Sequence, residues 1–240
     1  MTTLAFITGT SRGIGAGIAT AAESGGAIVA AINRSTTNAD RELLVDLAQP
    51  ESWQQSADWF DEVVDAVGPD RIVFVHNAAT LTPIGFAGEV DQAGYQTNVL
   101  LNSAAPQVLG AAMIRTAQRV GVPTVVAQLS SGAGKNPYPG WTSYCASKAA
   151  VDMWVRAVGE EQASRAGLVR AVAISPGVVD TGMQAEIRGS AEDGFPQVAR
   201  FQGLHAAGAL GDPVLVGAQL WSAAAHGDWP NGSVLDVKDM

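Results

Sequence analysis

Tyr144 and Lys148 stand four residues apart in Thr142-Ser143-Tyr144-Cys145-Ala146-Ser147-Lys148, and residues 146–156 read as a helix. On a helix that spacing puts the phenol and the ammonium one turn apart on one face. A phenol ordinarily titrates near pH 10, too high for easy proton exchange at neutrality. A neighbouring cation favours phenolate and lowers that value, so the pair could serve as acid or base on a substrate oxygen. Such pairs also arise by chance on surface helices, so the elements around this one must decide its meaning.

Those elements alternate between strand and helix. Residues 4–8 form an apolar run that fits a buried parallel strand. It enters Thr8-Gly9-Thr10-Ser11-Arg12-Gly13-Ile14-Gly15 and then a helix over 16–22. Strand, glycine turn and helix N-terminus together suit a phosphate: glycine permits close backbone approach, and free N–H groups and the helix dipole favour an anion. The second strand, 27–32, ends at Asn33-Arg34-Ser35. A site built for NAD carries a carboxylate there for the ribose 2′-hydroxyl. Asn33 followed by Arg34, with Arg12 in the glycine turn, instead favours a 2′-phosphate and so NADP(H), unless both arginines are simply solvated.

Residues 43–47 read as a third strand, reached through a stunted helix because only eleven residues separate Arg34 from Asp46. A helix over 50–67 and a strand over 71–75 follow, then a long helical region over 90–120 containing Asn98. Next come a strand over 122–129, the Tyr144 helix running to Arg165, and a strand over 168–174. A Gly-interrupted helical insertion over 183–211, a helix over 213–225 and a strand over 232–237 complete the chain. This alternation predicts an α/β fold: one domain over 1–240, Rossmann-type, a doubly wound seven-stranded parallel sheet with helices on both faces. Asn77-Ala78 and Ser131 fall at strand carboxyl ends, where such sheets bind ligands.

Composition narrows the function. A net charge of −9 argues against a nucleic-acid or anionic-membrane partner, and no apolar run reaches the length of a membrane span. Cys145 is the only cysteine, and His76, His205 and His226 are scattered, so neither a disulfide nor a metal is expected. The chain enters its first strand with no signal-like segment, and a reducing cytoplasm fits.

Taken in order, four motifs resemble the short-chain dehydrogenase/reductase family over essentially the whole chain. They are Thr8-Gly9-x3-Gly13-Ile14-Gly15, Asn77-Ala78, Ser131 thirteen residues before Tyr144-x3-Lys148, and Pro176-Gly177 with Thr181. The resemblance implies a catalytic set of Asn98, Ser131, Tyr144 and Lys148. Ser131 and Tyr144 would hold a carbonyl oxygen, Lys148 would lower the phenol pKa and bind the nicotinamide ribose, and Asn98 would hold a relay water. It implies that Gly9, Ser11, Arg12, Gly13, Ile14 and Gly15 hold the pyrophosphate and adenosine end. Arg34 would face the 2′-phosphate and Asp46 the adenine, with Asn33 also among the cofactor-binding residues. Asn77 and Ala78 would border the ribose, and Pro176, Gly177, Val179 and Thr181 the nicotinamide.

Within the family, residues 175–184, Phe201-Gln202-Gly203-Leu204 and 231–236 look like the sepiapterin reductase and bacterial benzil reductase branch. Asp236 then becomes the match for a pterin-anchoring aspartate. Tyr138, Trp141 and Met183, with Phe195, are the expected substrate walls, suited to a bulky, aromatic or cyclic ketone. The chain departs from the family at His76 and Ala79, at Gly182, and in the short segment after Arg34. The expected activity is NADPH-dependent reduction of a small-molecule carbonyl by a homodimer or homotetramer. An NADP-binding sensor without turnover and an NAD-dependent alcohol dehydrogenase are the alternatives.

Overall fold

Apolar runs make the central strands because they are covered on both faces. Successive residues point to opposite sides of a strand, and β1 (Thr3–Thr8) sends Ala5 and Ile7 into one core and Leu4 and Phe6 into the other. The computed structural model describes residues 1–164 and 167–240. The further strands are β2 (Ile28–Asn33), β3 (Glu42–Leu44), β4 (Arg71–His76), β5 (Thr124–Leu129), β6 (Val169–Ser175) and β7 (Ser233–Asp236). They pair in the order β3-β2-β1-β4-β5-β6-β7, every pair parallel.

Helices α1 (Gly13–Ser24) and α8 (Pro213–His226) cover the Ala5/Ile7 face through Ile18, Ala22, Leu220 and Trp221. They cross closely: a Cβ on Gly217 would meet the Gly17 backbone at 2.6 Å. Helices α2 (Glu51–Val67) and α4 (Ala105–Val120) cover the opposite face through Phe60, Val64, Leu109 and Met113. Phe60 meets Phe6 edge to face at 4.9 Å. Helix α5 (Thr142–Ala163) packs Val155 and Val158 on Ala171 and Ala173 of β6. The expected end of this helix at Arg165 lies outside the described residues.

Two expected elements differ. The segment between Arg34 and Arg41 forms no helix, and β3 stops at Leu44. Side chains of this segment bond to Glu42 instead of its backbone coiling. The long helical region is broken into α3 (Gln92–Val99), a π turn over Leu100–Ala104, and α4. Pro106 at the start of α4 supplies no N–H, so a regular helix could not run through unchanged.

Strand order reverses between β1 and β4, which opens a crevice at their carboxyl ends. Asn77 stitches this point: its Nδ2 donates to the Thr8 and Gly9 carbonyls at 3.0 and 2.9 Å, and its backbone N–H donates to Thr8 Oγ1 at 3.0 Å. Helices α6 (Gly182–Arg188) and α7 (Val198–Ala206) stand above that edge. Among the described residues no helix is long and apolar enough to cross a membrane, and no cluster of His, Cys, Asp or Glu could hold a metal.

Candidate active site

A cleft of about 780 Å3 runs along the carboxyl edge. Its floor is the glycine turn. Gly9 and Gly13 hold φ of +73° and +58°, which side chains rarely adopt. A Cβ on Gly15 would sit 1.9 Å from the Gly9 carbonyl oxygen, so the turn can close only as glycine. The start of α1 has no side-chain cap and no acid in its first turn. That leaves backbone N–H groups facing the cleft, the condition for holding a phosphate. The residues present therefore fit a dinucleotide.

At one end, Asn33, Arg34, Ser35, Asp46 and Ala48 line the cleft. The Asn33 side chain itself is occupied. Its Oδ1 accepts from Thr10 N at 2.8 Å, and its Nδ2 donates to Thr10 Oγ1 at 2.9 Å and Glu42 Oε1 at 2.8 Å. Asn33 thus clasps the glycine turn to β3, leaving Arg34 as the cationic group of this end. The Arg12 guanidinium lies over Gly182, where a Cβ would meet Nη1 at 3.6 Å.

At the other end the cleft is lined by Tyr144, Lys148, Pro176, Thr181 and Met183, as the sequence leads one to expect. Ser11, Ile14, Asn77 and Ala78 line its middle. Lys148 Nζ lies 5.7 Å from the Tyr144 ring centroid and donates to the Leu129 carbonyl at 2.8 Å. Both side chains are buried, which reverses one expectation. Burial pushes the Tyr144 phenol up to about 12, against a hydrogen bond from Ser131. Lysine does not acidify it here; burial outweighs the distant ammonium. The same burial brings Lys148 down to about 8, opposed by the Asp152 carboxylate.

Asp152 is the group that Tyr144 and Lys148 leave implicit, since it continues their stripe one turn further on. Its Oδ1 accepts from the Ser130 hydroxyl at 2.5 Å, and its charge favours the cationic form of Lys148. The serines divide: Ser130 lines the cleft and is held by Asp152, while Ser131 is not among the lining residues, accepts from Ala133 N at 3.2 Å and reaches Tyr144. His76, at the end of β4, is buried and driven down to about 3, first by burial and then by Lys148. It is neutral and takes no part as an acid.

Several expected residues are placed elsewhere. Asn98 is fully buried and its amide is consumed: Nδ2 donates to the Thr82 carbonyl at 3.0 Å, and Oδ1 accepts from Asn102 at 2.9 Å. Its side chain secures residues 80–82, which leaves a water beside Lys148 to its backbone carbonyl. Trp141 is buried between aromatics, stacked on Phe195 at 4.4 Å and on Tyr138 at 5.0 Å, with Tyr144 edge-on at 6.0 Å. Trp141 and Tyr138 thus back Tyr144 from behind and do not line the cleft, because stacking together hides more apolar surface than facing water. Asp236 accepts from Lys238 N at 3.1 Å and pairs with Lys238 Nζ at 3.6 Å, outside the cleft on the edge strand. Val179 is buried in the α8 core, and Gly177 takes φ +76° at the turn after β6; neither lines the cleft. Thr80, Thr82, Thr97, Leu101 and Glu186 do line it, on the loop and helix faces opposite α1. They come from a loop and from two separate helical segments, so only the fold brings them together.

Residues 3–192 match the short chain dehydrogenase family. The chain is 37% identical over 245 residues to a benzil reductase ((S)-benzoin forming) of Bacillus subtilis, covering 99% of each chain. It is 30% identical to the sepiapterin reductase of Mus musculus, over 72% of this chain and 65% of that one. Among solved structures, the KRED1-Pglu enzyme superposes with a TM-score of 0.83 at 28% identity, over 97% of this chain and 100% of the other. With the glycine turn, the Tyr144/Lys148 helix and the parallel sheet in that family's arrangement, this chain belongs to the short chain dehydrogenases.

Proposed function

We propose that this chain is an NADPH-dependent carbonyl reductase that converts a bulky aromatic or cyclic ketone or diketone to an alcohol, with Tyr144 as the general acid. The observation that carries the reading is one cleft holding Tyr144 and Lys148 at one end and Arg34 at the other, with Arg12 on the glycine turn and its guanidinium over Gly182. The similarity to a benzil reductase over the whole chain supports an aromatic diketone as substrate. Asp236 is not among the residues that line the cleft, which supports a ketone other than a pterin.

When bound, the nicotinamide supplies a hydride for the carbonyl carbon. Gly9, Ser11, Arg12, Gly13 and Ile14 would hold the pyrophosphate, Arg34 the 2′-phosphate, and Asp46 the adenine. Ser131 and Tyr144 donate hydrogen bonds to the carbonyl oxygen. As that oxygen gains charge, Tyr144 yields its proton, because an alkoxide is a stronger base even than this phenolate. Lys148, in its cationic form, offsets the phenolate left behind. Met183 and Leu101 supply apolar wall, and Trp141 keeps the phenol ring in place.

Arg34→Asp tests the cofactor reading. Putting a carboxylate where a 2′-phosphate is held should shift the NADPH-to-NADH ratio of kcat/KM toward NADH by about a hundredfold. Initial rates with both dinucleotides and benzil measure it. An unchanged ratio removes Arg34 from the site.

A further inference from the structure

Arg34 projects from a segment with no helix to stiffen it, yet its neighbours on both sides are pinned to a single carboxylate. Glu42 Oε1 accepts from Asn33 Nδ2 at 2.8 Å, from the Thr37 backbone N–H at 2.9 Å and from Thr37 Oγ1 at 2.7 Å. Its Oε2 accepts from Thr36 Oγ1 at 2.6 Å. Asn33 also clasps Thr10 of the glycine turn, and its carbonyl accepts from Val45 N at 2.8 Å. Arg34 and Ser35 are thus the two residues between pinned positions, and both line the cleft while Glu42 does not.

We propose that Glu42 is a positioning residue for cofactor selection: it folds residues 33–37 around itself so that Arg34 faces a 2′-phosphate, and it spends its own carboxylate on protein donors. The inference rests on the NADP reading above. Two physical points support it. A carboxylate in this region would ordinarily attract ribose hydroxyls and repel a 2′-phosphate. Here four donor groups saturate its acceptor sites, so the negative charge is satisfied locally and turned from the cleft. The carboxyl also stays ionised at any working pH: burial acts to raise it, but the Thr36, Asn33 and Thr37 hydrogen bonds outweigh that and bring it down to about 2.

Glu42→Gln keeps the shape and turns one acceptor into a donor, against two N–H groups that can only donate and two threonine hydroxyls that would have to turn over to accept. Binding of 2′,5′-ADP and of 5′-AMP, by calorimetry on the whole protein, reads the effect without turnover. The variant should bind 2′,5′-ADP about tenfold more weakly and 5′-AMP within about twofold, as expected when one charge-assisted contact is misplaced. Its NADPH-to-NADH ratio of kcat/KM should fall by a similar factor. Thr36→Val, which removes a single exposed hydroxyl, should move 2′,5′-ADP binding the same way by about threefold, and unliganded melting curves establish that both variants fold. Equal weakening of both nucleotides would make Glu42 a general support and overturn the proposal. So would unchanged 2′,5′-ADP binding, or a rise in NADPH preference, which would mark Glu42 as a ribose-facing acid. A wild-type ratio favouring NADH sinks the cofactor reading and this role together; a wild-type preference for NADPH that Glu42→Gln leaves alone sinks only the role of Glu42.

Discussion

Tyr144→Phe should lower kcat for benzil reduction by about a thousandfold or more, while the Kd for NADPH stays within about twofold. The substitution deletes one hydroxyl and keeps the ring that Trp141 braces at 6.0 Å. Packing therefore survives, and the folded state loses about one hydrogen bond, that with Ser131, costing about 1 kcal/mol. What disappears is the donor to the carbonyl oxygen and the proton that oxygen must receive. Ser131 can still donate one hydrogen bond, which polarises the carbonyl without completing the alcohol. Stopped-flow NADPH oxidation and fluorescence titration separate the two effects. A variant that keeps most of its kcat would take the acid role away from Tyr144.

Lys148→Met should lower kcat/KM by about a hundredfold and change the shape of its pH profile. Burial lowers Lys148 from 10.5 to about 8, with Asp152 opposing. Below that pH the amine carries a charge that offsets the phenolate; above it the charge is lost. Wild-type reduction should therefore be flat from pH 6 to near 8 and then fall by about tenfold per unit, the slope of one proton. Tyr144, held up at about 12, stays protonated throughout and adds no limb of its own. In the methionine variant the low rate should show no limb near 8. A limb that persists there would belong to another group.

Much of the architecture is legible in the sequence, for identifiable reasons. Strands buried on both faces need unbroken apolar runs, so residues 4–8 and 71–75 announce β1 and β4. Helical period fixes the Tyr144/Lys148 face, and it marks Asp152 on the same stripe. Effects that depend on distant partners are not legible. Trp141 reads as a substrate wall until Phe195 is brought against it from beyond β6. The sequence gives Asn98 no partners, and only the fold shows the loop at 80–82 claiming its side-chain amide. A neighbouring cation suggests an acidified phenol, but burial, which no local pattern records, pushes the other way. The Glu42 cluster joins threonines and an asparagine without periodicity, so the sequence calls for a helix where side-chain hydrogen bonds suffice.

The most direct measurement follows one labelled atom. NADPH carrying deuterium at the transferable position of its nicotinamide is incubated with benzil and the purified protein, and the product is analysed by mass spectrometry and NMR. Hydride transfer to the carbonyl should give benzoin bearing a single deuterium on its carbinol carbon in the wild type and essentially none with Tyr144→Phe. Tight NADPH binding with no labelled alcohol from benzil or any ketone of a broad panel would contradict it.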